Sequence, residues 1–112
     1  MKRVVYFIVV LALGLSMAAC ERVNIGDLNA DPGRFFNKEV AVGGIVTQSI
    51  GALGKGIYQV DDGTGRLWVL AISRGVPSKG ARVGVKGHIV PTVTFLGTNY
   101  ATVLQESDRR RG

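Results

Sequence analysis

Two segments of this chain repeat one pattern, Val-x-Val-x-Gly-x-Val at Val40 to Val46 and Val-x-Val-x-Gly-x-Ile at Val83 to Ile89. Apolar residues at every second position turn one face of each segment toward a core, the signature of a strand and not of a helix. A glycine at the same place in each allows a bend. In a five-stranded Greek-key barrel the first and fourth strands lie side by side and must coil strongly to close it, and these two segments hold those positions in chain order.

Between them lies Tyr58-Gln59-Val60-Asp61-Asp62-Gly63-Thr64-Gly65-Arg66-Leu67-Trp68-Val69. It reads as a β-hairpin spanning Ile57 to about Ile72, because Asp can bond its own backbone and Gly accepts positive φ at no steric cost. Alternation predicts Val40, Val42, Val46, Tyr58, Val60, Leu67, Val69, Val83, Val85 and Ile89 inside. Gln59, Arg66, Trp68 and Leu70 then point outward. A fifth strand is expected at Tyr100 to Gln105, entered through a loop holding Pro91 and Gly97-Thr98-Asn99. Gln48 to Gly56 and Ser73 to Gly80, rich in Gly, Ser and Pro, read as loops, the first of them mobile. Ile25 and Leu28 belong to a short helical turn stopped by Pro32-Gly33, with Phe35 and Phe36 placed to plug the barrel. The expected fold is all-β, with the barrel at 39–106 and a frayed basic tail at 107–112.

The chain opens with Lys2 and Arg3, an apolar run from Val4 to Leu15 and the small residues before Cys20. This is the build of a secretory signal peptide, shorter than the roughly 20 residues a membrane span needs. Met17-Ala18-Ala19-Cys20 resembles the lipobox of bacterial lipoproteins, which implies removal of residues 1–19 and a lipid on Cys20, with 20–38 as spacer and helical turn. Glu21 in place of Asp implies, by the same resemblance, sorting to the outer membrane, the domain facing the periplasm. An ordinary signal peptide cut after Ala18 or Ala19 is the competing reading. Cys20 is the one cysteine, so an intramolecular disulfide, a Cys-x-x-Cys motif and a cysteine zinc cluster are excluded.

The order of these pieces, Val-Ala-Val-Gly-Gly-Ile-Val, then Ile57 to Asp61, Asp61-Asp62-Gly63-Thr64-Gly65, a strand, and Val-Gly-Val-Lys-Gly-His-Ile, resembles an OB-fold of the nucleic-acid-binding superfamily over Glu39 to Glu106. Phe36-Asn37-Lys38-Glu39-Val40 is also similar to the periplasmic bacterial OB-fold (BOF) family. The resemblance implies a ligand surface on the outer face of the second and third barrel strands.

The formal charge of +6 falls to about +4 without Lys2 and Arg3, and Arg109, Arg110 and Arg111 supply three of the positive charges. No acid occurs from Gly63 to Gln105, whereas Arg66, Arg74, Lys79, Arg82 and Lys86 do, so one side of the domain is expected to be positive. An enzyme is hard to assemble here. His88 is the one histidine, set in a strand; no Gly-x-Ser-x-Gly elbow occurs. Gly51 to Gly56 fails as a phosphate loop because Gly follows Lys55 where Ser or Thr is needed. Asp61 and Asp62 are explained by the turn. No metal or cofactor is expected.

The candidate ligand-binding residues are therefore Gln59, Arg66, Trp68 and Leu70, with Arg74, Lys79, Arg82 and Lys86 supplying attraction. Trp68 beside Arg66 can stack on a base or sugar ring and meet a phosphate; alternatively Trp68 and Leu70 cover an apolar flank. The reading is a non-catalytic binding module on a lipid anchor. Single-stranded nucleic acid follows from the resemblance, an oligosaccharide from the compartment. The alternative is an envelope protein-interaction or scaffolding lipoprotein without a small ligand.

Overall fold

The computed structural model describes residues 21–112, so the signal-peptide and Cys20 readings fall outside the described residues. The elements are β1 (Glu21–Arg22), α1 (Ile25–Ala30), a 3-10 turn (Pro32–Arg34), β2 (Glu39–Ala52), β3 (Lys55–Asp61), β4 (Arg66–Ala71), β5 (Arg82–Phe95) and β6 (Thr98–Arg111). β2 pairs antiparallel with β3, β3 with β4, β6 with β5 and β5 with β2, while β4 and β6 run parallel. Five strands thus close on themselves, and β1 adds to β2 at Val40 and Ala41. All ten residues expected inside are buried.

The repeated glycines are there for close approach as well as for bending. A Cβ on Gly44 would strike the Asp61 carbonyl, and one on Gly87 would strike the Gln105 carbonyl. At these two places, β2 against β3 and β5 against β6, the strands draw in to a distance that only glycine permits.

Three expectations are corrected. Gln48 to Gly56 is not a loop, because β2 continues to Ala52 and turns through Leu53-Gly54 into β3, with Ile50 opposite Ile57 and Ser49 Oγ donating to the Pro77 carbonyl at 2.7 Å. Cross-strand pairing overrides the weak strand preference of Gly and Ser. Pro91 does not end its strand. Past Ile89, β5 has only β6 beside it and its other edge is open, which is where a strand tolerates a residue lacking an N–H. The tail is not frayed either: β6 runs to Arg111, paired with Val83 to Lys86, and Ser107 is accommodated as a bulge whose hydroxyl donates to the Lys86 carbonyl at 3.1 Å. Sequence polarity hid this strand, since it alternates against solvent.

Of the two phenylalanines expected to plug the barrel, Phe35 joins the buried core, while Phe36 is half-buried against it and bridges to Ile89. Ile25, Leu28 and Phe35 are buried, and Asn24 caps α1 by accepting from the Asp27 N–H at 2.8 Å. The Asp-Asp-Gly turn has a second duty. Asp62 Oδ2 accepts from the Ile25 N–H at 2.8 Å while its Oδ1 accepts from the Thr64 hydroxyl and the Thr64 and Gly65 N–H groups. Burial pushes the Asp62 carboxyl up, but these donors outweigh it and hold the group below its ordinary value. A carboxyl depressed by folding stabilises above its unfolded value near 3.8 and loses that contribution as pH falls through the lower folded value. Wild type should therefore lose stability on acidification below about pH 4 more steeply than Asp62→Asn. Urea midpoints at several pH values check this; parallel curves would refute it.

Candidate functional site

On the outer face of β3 and β4, Gln59 lies opposite Trp68, Asp61 opposite Arg66 and Ile57 opposite Leu70. Ile57 faces away from the barrel yet is fully buried, set between Ile50 and Leu70. Trp68 is half-buried, and its ring meets Tyr100 edge-on with centroids 4.8 Å apart at 62°. Such a pair contributes about 0.5–1.5 kcal/mol beyond the area it buries. Trp68 belongs to neither the barrel core nor a bare surface. The Thr47 hydroxyl donates to Gln59 Oε1 at 2.9 Å, which orients the amide. Arg66 Nε is 3.3 Å from Asp61 Oδ2, with the Arg66 side chain 61% exposed; a pair so placed contributes at most about 1 kcal/mol.

Two hairpin tips frame this face. The β2–β3 tip carries Leu53-Gly54 at φ 54° and 78°, and the β5–β6 tip carries Leu96-Gly97 at φ 50° and 81°. Gly56 pairs with Ala71, whereas Val103 of the parallel β6 lies beside Trp68, so the tips stand off opposite ends of β4. Leu53 is wholly exposed and Leu96 largely so. A leucine in left-handed backbone costs roughly 1–2 kcal/mol, and Asn would suit either turn better. Folding alone does not account for two exposed leucines in this conformation.

The remaining candidates do not gather here. Arg74 and Lys79 sit in the β4–β5 loop, Arg74 at 3.5 Å from Asp108. Arg82 and Lys86 point outward from β5 on the β2–β5 side. The acid-free stretch is thus divided among faces of the barrel. Cys20 lies outside the described residues. His88 is exposed opposite Glu39, and among the described residues no group of three or more His, Cys, Asp or Glu is arranged to hold a metal.

Within the wall, the Tyr58 hydroxyl donates to Glu106 Oε1 at 2.5 Å, and Arg109 Nη1 donates to the same oxygen at 3.2 Å. Arg109 also covers the Tyr58 ring and donates from Nη2 to the Gly75 carbonyl at 2.7 Å. Burial, then the hydrogen bond to Glu106, pushes the Tyr58 hydroxyl well above its ordinary value. This network pins the β4–β5 loop to β3 and β6.

No protein-family model and no curated protein sequence matches the chain. Solved structures do. A protein assigned as an aspartyl-tRNA synthetase from Leishmania major Friedlin aligns at a TM-score of 0.61 and 12% identity, over 80% of this chain and 20% of that one. An OBody bound to hen egg-white lysozyme aligns at a TM-score of 0.53 and 19% identity, over 68% of this chain and 82% of that one. The likeness is one of fold. It agrees with the closed five-stranded barrel, and this chain spans a fifth of the synthetase.

Sequence reasoning missed Tyr100 as the partner of Trp68, because the pair depends on which strand β6 joins. It also missed the leucine tips. Their signal was present in the repeated Leu-Gly at Leu53 and Leu96, each preceding a polar or basic strand start.

Proposed function

We propose that this chain is a non-catalytic binding module of the OB-fold kind, carried on a lipid-modified Cys20 at the bacterial envelope, facing the periplasm and sorted to the outer membrane. It holds an extended ligand across β3 and β4. The observation that carries the reading is the half-exposed Trp68–Tyr100 pair at the centre of a face framed by two apolar tips. Arg66 is engaged by Asp61, and Gln59 offers a neutral amide, a combination that supports an oligosaccharide with ring faces to stack. Single-stranded nucleic acid is the second reading, supported by the fold likeness to a synthetase acting on tRNA by its name and by the exposure of Arg66.

Titrating neutral glycans and labelled oligonucleotides against wild type, Trp68→Ala and Arg66→Gln at two salt concentrations separates the two. Trp68→Ala should remove roughly 1–3 kcal/mol of stacking for a base, with the salt dependence nearly unchanged. Arg66→Gln should flatten the salt dependence only if the ligand is a polyanion. Binding of neither probe, or binding untouched by both substitutions, would put an envelope protein partner or a scaffolding role ahead. For the anchor, Cys20→Ala should abolish palmitate labelling; a wild type that takes no label would remove the lipoprotein reading.

A further inference from the structure

A second surface of the barrel is built differently. On the outer side of the β2–β5 seam the facing pairs are Ala41 with Lys86, Gly43 with Gly84, and Ile45 with Arg82. The Gly43–Gly84 pair leaves the middle of this seam without side chains, flooring an open groove of about 980 Å³. Three arginines from three strands rim it: Arg22 of β1, Arg82 of β5 and Arg110 of β6. A Cβ on Gly43 would come 3.9 Å from Arg22 Nη2, and one on Gly84 would come 3.6 Å from Arg110 Cγ, so two of these side chains lean over the bare floor.

All three arginines are exposed, and none is in an ion pair among the described residues. The acids at the groove's end are already engaged. Asp61 holds Arg66, and Asp62 accepts from Ile25, Thr64 and Gly65. What remains is a concentration of planar guanidinium donors with backbone room beneath them, which suits tetrahedral phosphate oxyanions.

Covalent connectivity selects the source of the phosphate. Arg22 is two residues beyond Cys20, at most about 7 Å of chain. An acyl group on Cys20 buried in a bilayer holds Arg22 within a Debye length of the headgroups, roughly 8 Å at physiological salt. Arg82 and Arg110 share the groove with Arg22 and come with it.

We infer that the groove rimmed by Arg22, Arg82 and Arg110 is a membrane-facing site that binds the phosphate headgroups of anionic lipids and orients the barrel on the bilayer. The inference rests on the lipid-anchor reading of Cys20. Its consequence follows from strand order. Around the closed barrel, β4 lies opposite the β2–β5 seam, so docking that seam on the membrane presents Trp68 and its neighbours to the periplasm. Two surfaces thereby receive different tasks, a charged one against lipid and an aromatic one toward the ligand.

The test is flotation of the full lipidated protein offered two vesicle populations at once, phosphatidylcholine alone and with about a third phosphatidylglycerol, loaded to different densities, so that the acyl anchor contributes equally to both and the partition reads the groove. Wild type should prefer the anionic vesicles by about tenfold or more at low salt, and the preference should collapse at high salt. Arg22→Gln/Arg82→Gln/Arg110→Gln should lose it, while Arg34→Gln/Lys38→Gln/Lys55→Gln, which removes the same charge at positions that line no part of the groove, should keep it. Equal flotation of wild type on both vesicles, or equal loss in both triple variants, would overturn the site. Stronger binding of a single-stranded oligonucleotide than of anionic vesicles, lost in the arginine variant, would assign the groove to nucleic acid and overturn the lipid. Palmitate labelling is read on the same preparations. A wild type without label that still prefers anionic vesicles through the three arginines removes the anchor and upholds the groove.

Discussion

Gly87→Ala should destabilise the barrel by about 3 kcal/mol, although it adds a single methyl group. The methyl would collide with the Gln105 carbonyl and come within 2.7 Å of Leu104 Cδ2. The carbonyl belongs to the β5–β6 ladder and cannot move without opening hydrogen bonds on either side, and Leu104 is fully buried. Gly84→Ala is the control on the same strand. Its Cβ would meet only Arg110 Cγ, at 3.6 Å, an ordinary contact, so its effect should stay within about 0.5 kcal/mol. Equilibrium unfolding in urea compares the two; an unchanged midpoint for Gly87→Ala would mean that β6 can draw back, and that the glycine is not needed for closure.

Arg109→Ala should cost roughly 3–5 kcal/mol, because it strands the buried Glu106 carboxylate with only the Tyr58 hydroxyl for company. The Glu106 side chain is 2% exposed and Arg109 is 17% exposed, so water cannot replace the lost partner easily. Tyr58→Phe keeps the ion pair and removes one donor, an expected loss of about 1–2 kcal/mol. Tyr58→Phe should also differ from wild type in alkali. A phenol raised by folding keeps its proton in the native state, so its contribution is whole below the unfolded value near 10 and is lost as pH rises beyond it. Wild type should weaken above pH 10 more steeply than Tyr58→Phe, with the shared titration of lysines cancelling in the difference. Identical alkaline slopes would show that the hydroxyl is not held by Glu106 in solution.

Tyr58, Glu106 and Arg109 also show where sequence reading stops. Alternation with Val60 puts Tyr58 inside the barrel, and it is buried there. Nothing local announces that its hydroxyl will meet Glu106, 48 positions away, since that contact depends on β6 joining β4 and on the Ser107 bulge. The same holds for Trp68. Its outward direction was legible from its neighbours Leu67 and Val69, and its aromatic partner was not.

What the amino-acid sequence determined by itself is what depends on period and on single-residue backbone preferences. Alternating valines set the two strands that meet at the seam, Asp-Asp-Gly-Thr-Gly set the hairpin turn, and Pro32-Gly33 stopped α1. These are local steric facts, decided within a few residues. Tertiary structure alone decided which bases stand together. Arg66, Arg74 and Arg82 belong to one acid-free stretch of sequence, yet they separate to a paired position on β4, a loop, and the arginine-rimmed groove. That groove draws Arg22 and Arg110 from opposite ends of the described chain. Charge acts through space over about a Debye length, and only strand register sets which charges fall within it.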